Sequence, residues 1–115
     1  MHFPTADQLV KLAFQTRELR DACLRESAAL EVYGEELGRR VLRRVADLDA
    51  AQTMLDLPVG NPRLADGTEG RYRIDIGDSH FMEISANHVK NPLGAAGETD
   101  WSRVDRIKIE GIYES

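Results

Sequence analysis

The fold is decided by the stretch Arg71-Tyr72-Arg73-Ile74-Asp75-Ile76. Its apolar residues alternate with its polar ones, and this period of two predicts a strand that is buried on one side only. Gly77-Asp78-Ser79 predicts a tight turn, and Phe81-Met82-Glu83-Ile84 is the predicted returning strand. We therefore expect an antiparallel hairpin in the second half of the chain.

A strand and two helices are predicted before this hairpin. The stretch 9–14 mixes alternation with a short apolar run, which predicts a first strand. Thr16 suits the N-cap of a helix that closes at Tyr33-Gly34, where glycine is the residue typical of a helix end. A second helix is predicted from about Glu35 to Ala51, and its apolar stripe consists of Leu37, Val41, Val45 and Leu48. Since almost nothing joins the two helices, we expect an antiparallel helical hairpin.

The remaining segments complete a small sheet. Two prolines predict a loop over residues 57–62, Asp66-Gly67 predicts a turn, and residues 87–102 form a predicted polar loop in which Trp101 is a packing anchor. The last strand is expected to contain Val104, Ile107, Ile109 and Ile112, with a β-bulge near Gly111. The order β-α-α-β-β-β predicts an α+β fold, with the helical hairpin on one face of an antiparallel sheet, in one domain over residues 1–115.

Length and composition limit the class of protein. A chain of 115 residues with 42% hydrophobic and 30% charged residues is typical of one globular domain. No apolar run approaches the roughly 18 residues that a membrane-spanning helix needs, and the first residues do not have the pattern of a secretory signal. Cys23, the single cysteine, cannot form an internal disulfide and is expected to be a small buried residue. These features predict a protein of the reducing cytoplasm.

The charge distribution is uneven. A formal net charge of −5 argues against broad, nonspecific affinity for nucleic acids. Residues 11–44 contain eight basic and six acidic residues, whereas residues 45–115 contain seven basic and thirteen acidic ones. The half of the chain that is predicted to form most of the sheet is therefore its acidic half.

Several segments, in this order and spacing, resemble the HigB-like killer proteins of the RelE/ParE toxin superfamily. The resemblance covers most of the chain, from about Leu12 to Tyr113. The segments that carry it are Phe14-Gln15-Thr16-Arg17-Glu18-Leu19, Tyr33-Gly34 with Arg39-Arg40-Val41-Leu42-Arg43-Arg44-Val45-Ala46-Asp47-Leu48, Ala50-Ala51-Gln52-Thr53 with Leu57-Pro58, Gly70-Arg71-Tyr72-Arg73-Ile74-Asp75-Ile76, and Asp100-Trp101-Ser102-Arg103-Val104 with Ile107-Lys108-Ile109.

This resemblance implies a toxin of a type II toxin–antitoxin system. Such toxins are small cytoplasmic proteins held inactive by an antitoxin, often one with a helix-turn-helix domain. The active ones enter the ribosome and cut mRNA without a metal ion or cofactor, by letting the RNA's own 2′-hydroxyl attack the adjacent phosphate. That chemistry needs cations against the charge that develops on the phosphate and side chains that move protons.

The catalytic candidates lie in the sheet half. Arg71 and Arg73 share one face of their strand by alternation, and the resemblance makes them phosphate contacts, which Arg63 is able to join; the alternative is salt bridging with an acid such as Asp75, Asp78 or Glu83. The proton-transfer candidates are His80, His88 and Tyr113. For the histidines the alternative is polar surface, and for the tyrosine it is sealing the edge of the sheet.

A second basic cluster lies on the second helix and consists of Arg39, Arg40, Arg43 and Arg44. Their i, i+4 spacing predicts four guanidinium groups on one side of the helix, away from the apolar stripe. Three interpretations stay open: contact with ribosomal RNA, contact with an acidic antitoxin, or a solvated face partly neutralised by Glu35, Glu36 and Asp47.

The chain departs from the family's pattern at several of the basic positions. Residues 64–70 lack the family's cations, Phe81 stands where the family has an arginine, and residues 112–115 contain no histidine. Two hypotheses follow. The first is a ribosome-dependent mRNA endonuclease, and the second is an inactive or repurposed member that acts by binding an antitoxin-like partner or another target such as gyrase.

Overall fold

The hairpin predicted from residues 71–84 lies in a larger sheet. The computed structural model describes residues 10–65 and 70–115, so the turn predicted at Asp66-Gly67 and the start of the first predicted strand fall outside it. In the described chain the sheet has five strands, in the order β1-β5-β4-β3-β2. They are β1 (Lys11–Phe14), β2 (Arg63–Leu64), β3 (Arg71–Ile76), β4 (His80–Ala86) and β5 (Arg106–Glu114).

The sheet is mixed, and the prediction of an antiparallel sheet is wrong for its first strand. β1 pairs with β5 in parallel, with Lys11 opposite Arg106, whereas the other neighbours are antiparallel. A parallel pair needs a long crossover connection, and almost the whole described chain separates these two strands. The two-residue strand β2, opposite Arg73 and Tyr72, was also not predicted.

The helical region contains α1 (Arg17–Leu24), α2 (Glu26–Tyr33) and α3 (Glu35–Asp49). The prediction of one helix before Gly34 is wrong, because Arg25 has extended backbone angles, φ −112° and ψ 123°, and separates α1 from α2. The predicted ends are confirmed. Thr16 accepts a hydrogen bond from the backbone N–H of Leu19 at 3.0 Å, and Gly34 has a φ of +82°.

The predicted helical hairpin is formed by α2 and α3. Gly34 alone joins them, and the backbone of Ala29 packs directly on Gly38. A Cβ atom at Gly38 would lie 2.8 Å from the carbonyl oxygen of Ala29, which is closer than packed atoms allow. Glycine at this position therefore permits the close approach of the two helices.

All three described helices lie on one side of the sheet. The predicted stripe of α3 packs on the apolar face of the central strands, in a cluster whose fully buried members include Val41, Leu48, Ile74, Ile76, Met82, Ile84, Ile107 and Ile109. Trp101, in a short 3-10 helix (Trp101–Arg103), stacks on Tyr72 with ring centroids 4.7 Å apart, which confirms it as an anchor. No helix within the described ranges is long and apolar enough to cross a membrane.

The bulge predicted near Gly111 is confirmed. Glu83 is opposite Gly111, but the next residue, Ile84, is opposite Ile109, so Glu110 is the extra residue of β5. An extra residue of this kind changes which side chains face each side of a strand. Here it leaves Ile107 and Ile109 in the core and allows Tyr113 to pair with Phe81 across the strands.

Candidate functional site

The face of the sheet that the helices do not cover, called the open face below, carries polar side chains. Alternate residues of a strand point to opposite sides of a sheet. The residues of β3, β4 and β5 that alternate with the buried ones therefore form rows of side chains on the open face. The rows, read from the register, are Asp75–Phe81–Tyr113, Arg73–Glu83–Gly111 and Arg71–Ser85–Lys108.

Glu83 is the acidic centre of the open face. Its carboxylate lies 3.9 Å from Nε of Arg73 and 3.7 Å from Nη1 of Arg71, and the glutamate side chain is only 18% exposed. The predicted alternative of salt bridging is therefore confirmed, with Glu83 as the partner of both arginines. The same contacts bring two cations and one carboxylate together on the open face.

Arg73 retains unused hydrogen-bonding capacity. Its Nε is buried and donates no hydrogen bond to the described residues, since 3.9 Å is too long for one. Its guanidinium carbon lies 4.6 Å from the centroid of the Phe81 ring, a cation–π contact.

Tyr113 lies at the end of the same arrangement. Its ring is 5.7 Å from that of Phe81, centroid to centroid, and its hydroxyl lies over Gly111, where a Cβ atom would be 2.5 Å from it. Gly111 is opposite Glu83, so the tyrosine hydroxyl is on the carboxylate's side of the sheet. Glycine leaves the room in which the ring lies flat on the face.

Three further polar residues extend the open face along β4 and β5. The Ser85 hydroxyl donates a hydrogen bond of 2.6 Å to Oε1 of Glu110, and Nζ of Lys108 is 3.6 Å from the same oxygen. Toward the β2 edge of the same face, Nη2 of Arg63 is 3.0 Å from a carboxylate oxygen of Asp75. Arg63 therefore lies beside Arg73, as the register of β2 and β3 also requires.

Neither predicted histidine lies in this arrangement. His80 begins β4 on the helix side of the sheet, and its Nδ1 is 2.7 Å from the Ser79 hydroxyl. His88 follows β4, and its Nε2 accepts hydrogen bonds of 3.3 Å from the backbone N–H groups of Asp105 and Arg106. The structure thus gives His88 a role in holding the chain that enters β5.

The arginines of α3 lie in the helical layer, away from the open face. Arg39 pairs with Glu26 and Glu35, and Arg40 pairs with Glu36 at 2.9 Å. Arg43 is exposed and has no ion-pair partner within the described ranges. Partial neutralisation of this cluster was one of the sequence-based interpretations, although Glu26 was not among its predicted partners.

Arg44 differs from the other three and does not share their exposed side of α3. Its side chain is 17% exposed, and its Nε donates a 3.0 Å hydrogen bond to the backbone carbonyl of Asp75. Its Nη1 is also 3.0 Å from the carboxylate of Asp47. The prediction of four guanidinium groups on one side of the helix, away from its apolar stripe, is therefore corrected to three, because Arg44 ties α3 to the end of β3.

A second surface feature lies between the helices and the sheet edge. A groove of about 540 Å³ has mostly apolar walls from β1, α1 and α3, namely Leu12, Phe14, Cys23, Leu24, Leu42, Val45, Ala46 and Asp49. Leu24 is 54% exposed there, whereas Cys23 is 1% exposed. Burial raises the pKa of the Cys23 thiol to about 12, so the predicted small apolar role of this cysteine is confirmed and a thiolate role is disfavoured.

Sequence reasoning missed Glu83 and Glu110 as members of the site. Glu83 was considered only as an ion-pair partner, although the two-sided alternation of β3 and the tight turn at residues 77–79 already place it opposite Arg73. Glu110 had no such signal, because only the bulge brings it onto the open face beside Ser85. Among the described residues, no three His, Cys, Asp or Glu side chains cluster so that they could hold a metal ion.

Comparisons of the chain with protein-family models, with curated proteins and with solved structures find no match. The chemistry of the open face is therefore the main guide to function. That face combines three arginines, three carboxylates and a tyrosine.

Proposed function

We propose that this chain is the toxin of a type II toxin–antitoxin system, a HigB/RelE-like domain that cleaves mRNA on the open face of its sheet. The observation that carries the proposal is the convergence of Arg71, Arg73, Glu83 and Tyr113 on one side of three neighbouring strands. This set contains what RNA transesterification needs: cations for the phosphate and groups that accept and donate protons.

In the proposed reaction the 2′-oxygen of a nucleotide attacks the adjacent phosphorus. Glu83 accepts the proton of the 2′-hydroxyl as the new P–O bond forms, and the bond from phosphorus to the 5′-oxygen breaks. The Tyr113 hydroxyl donates a proton to the departing 5′-oxygen, and solvent restores both groups. The products are a 2′,3′-cyclic phosphate and a 5′-hydroxyl, with no change in oxidation state.

Arg73 stabilises the charge that develops on the phosphate in this scheme. Its guanidinium is held between the Phe81 ring and the Glu83 carboxylate, and preorganised donors of this kind are worth about 10²–10³ in rate. Arg71 and Arg63 flank it and hold the non-bridging oxygens or the next phosphate. His80 and His88 have no part in this scheme, since both lie away from Arg73.

The exposed arginines of α3 have a separate role in the proposal. Arg39, Arg40 and Arg43 dock the domain on ribosomal RNA while the open face meets the mRNA. Positive side chains along a surface bind phosphate backbones without reading sequence. We expect the protein to act in the cytoplasm and to be held inactive by an antitoxin encoded beside it.

The test is induced expression in a bacterial host, with growth and newly formed RNA ends as the readouts. We expect growth arrest with 5′-hydroxyl ends in mRNA, and loss of both in Arg73→Ala. Lys90→Ala is the matched control, because Lys90 is exposed in the loop after β4. Absence of new RNA ends during arrest by the folded protein would overturn the nuclease proposal.

A second candidate function, binding without cleavage, is favoured by the groove between β1, α1 and α3. An exposed Leu24 beside buried apolar walls is typical of a surface that another chain covers. Under this hypothesis the domain acts by gripping an antitoxin-like partner or another target such as gyrase. Growth arrest that survives both Arg73→Ala and Tyr113→Phe would support it over the nuclease.

A further inference from the structure

The open face is more basic than the chain as a whole. Register and alternation place basic side chains of four strands on this side, namely Lys11, Arg63, Arg71, Arg73, Arg106 and Lys108. The acidic side chains of the same face are Asp75, Glu83 and Glu110. The sheet half of an acidic chain, with a net charge of −5 overall, therefore presents a positive surface here.

These cations follow a diagonal across the strands. Arg63 and Arg73 are opposite each other on β2 and β3, and Arg71 lies one row further along β3. Lys108 shares that row on β5, through Ser85. Arg106, in the row beyond it, is opposite Lys11 of β1. We call this series the cation track.

Within the cation track, Arg106 carries the least neutralised charge. Arg71 and Arg73 share one carboxylate, that of Glu83, and Lys108 shares Glu110 with Ser85. Arg106 is exposed and forms no ion pair with the residues described. Surface cations without an acidic partner attract phosphates and are available to bind them.

We infer that single-stranded RNA crosses the open face diagonally along the cation track, with Lys108 and Arg106 binding the phosphates next to the one at Arg73 and Glu83. This inference rests on the proposed function and extends it to the path of the substrate. In the row next to Arg73 and Glu83, Phe81 and Tyr113 offer ring faces on which a base is able to stack.

The dimensions of the sheet fit a few nucleotides. Neighbouring strands are about 4.8 Å apart, so β2 and β1 are separated by roughly 19 Å. Rows on one face are two residues apart, roughly 7 Å along a strand. Each step of the track therefore brings a cation within reach of a new phosphate, while the bases remain free to face the solvent or the aromatic pair.

The test is the salt dependence of binding to a short, fluorescein-labelled oligoribonucleotide in which every 2′-hydroxyl is methylated, so that it cannot be cleaved. The logarithm of the binding constant is measured against the logarithm of salt concentration for the wild type and for the double variant Arg106→Ala, Lys108→Ala. Each lost phosphate contact on a single strand lowers the slope by about 0.7, so we expect a decrease of about 1.4 for two contacts.

The matched control is the double variant Arg17→Ala, Arg20→Ala, which removes the same charge from exposed positions of α1. It should leave the slope unchanged, and thermal unfolding checks that all variants fold. Equal slopes for the wild type and the Arg106→Ala, Lys108→Ala variant would overturn the cation track. Binding with the expected slopes, but no cleavage of the unmethylated RNA with or without ribosomes, would overturn the nuclease proposal alone.

Discussion

Arg73 and Glu83 occupy directly opposed positions on β3 and β4, and their charged groups lie 3.9 Å apart without a hydrogen bond. A structural ion pair usually closes to hydrogen-bonding distance. Here the two groups are close but not bonded to each other, and under the proposed function a ribose–phosphate unit of the RNA is the partner that both contact. The hydroxyl of that unit would face the carboxylate, and its phosphate oxygen would face the guanidinium.

Glu83→Gln should nearly abolish cleavage, because the amide keeps the shape of the side chain but does not accept the 2′-hydroxyl proton as a base. Loss of general base catalysis costs about 10²–10⁴ in rate. The measurement is single-turnover cleavage at saturating RNA. Glu36→Gln, which alters the exposed partner of Arg40, is the control and should retain the wild-type rate. A Glu83→Gln variant as fast as this control would remove Glu83 from the mechanism.

Gly111→Ala should reduce cleavage with little loss of stability. The new methyl group would occupy the place of the Tyr113 hydroxyl, so the ring must swing away from the face. A half-exposed side chain moves cheaply, and we expect a change in unfolding free energy within about 1 kcal/mol. Tyr113→Phe should show a comparable rate. Full activity in both variants would show that Tyr113 donates no proton.

Arg44→Ala should destabilise the fold, whereas Arg43→Ala should not. Removing Arg44 leaves the carbonyl of Asp75 without this donor and Asp47 without its ion pair, at a cost of about 1–3 kcal/mol. Arg43 is exposed, and its loss should fall within about 0.5 kcal/mol. Urea unfolding of the two variants measures both values. Equal stabilities would mean that Arg44 does not fasten α3 to the sheet.

Gly38→Ala should destabilise the protein, although alanine has a higher helix propensity than glycine. Propensity alone favours alanine by about 1 kcal/mol, but the methyl group would meet the Ala29 carbonyl at 2.8 Å, and overpacking costs about 1–3 kcal/mol. Ala46→Gly, at an exposed position of α3, measures the propensity term in the same helix. A more stable Gly38→Ala variant would contradict the close contact of α2 and α3.

Alkaline pH should weaken the fold through Cys23. Burial raises the pKa of its thiol from 9.0 to about 12, so between these values the unfolded chain has lost a proton that the folded chain retains. The unfolded state then binds fewer protons, and the free energy of unfolding falls as pH rises, by up to about 1.4 kcal/mol per pH unit. The slope should be smaller in Cys23→Ala than in Ala29→Gly, a variant that weakens the core without removing a titrating group. If the free energy of unfolding falls equally steeply with pH in both variants, the Cys23 thiol is not the group that titrates.

Much of the core could be predicted from periodicity. Tyr72, Ile74 and Ile76 alternate with polar residues, and the apolar residues of α3 recur at helical spacing, so the water-facing and core-facing sides were visible locally. The direction of β1 was not, because alternation is the same in parallel and antiparallel strands. The break at Arg25 had no proline or glycine to mark it.

Alternation within a single strand predicted that Arg71 and Arg73 share a face, but it could not predict which residues of other strands lie beside them. Arg71 and Arg73 share a face by alternation, and Tyr113 joins them across two strand pairings. His80 and His88 were named for their chemistry, and their positions depend on the ends of β4. Arg44 shows the same limit, since its role depends on where the end of β3 meets α3.

The parallel pairing of β1 with β5 makes the fold dependent on its most distant contact. Lys11 and Arg106 are opposite each other in the sheet, but the helices and the three other strands lie between them in the sequence. Contacts of such high sequence separation are slow to form, because the entropy of closing the chain is lost before the contact compensates for it. We therefore expect the sheet to complete late in folding. Until then the edge of β5 that pairs with β1 in the folded protein has no strand beside it. An unpaired strand edge of this kind favours aggregation.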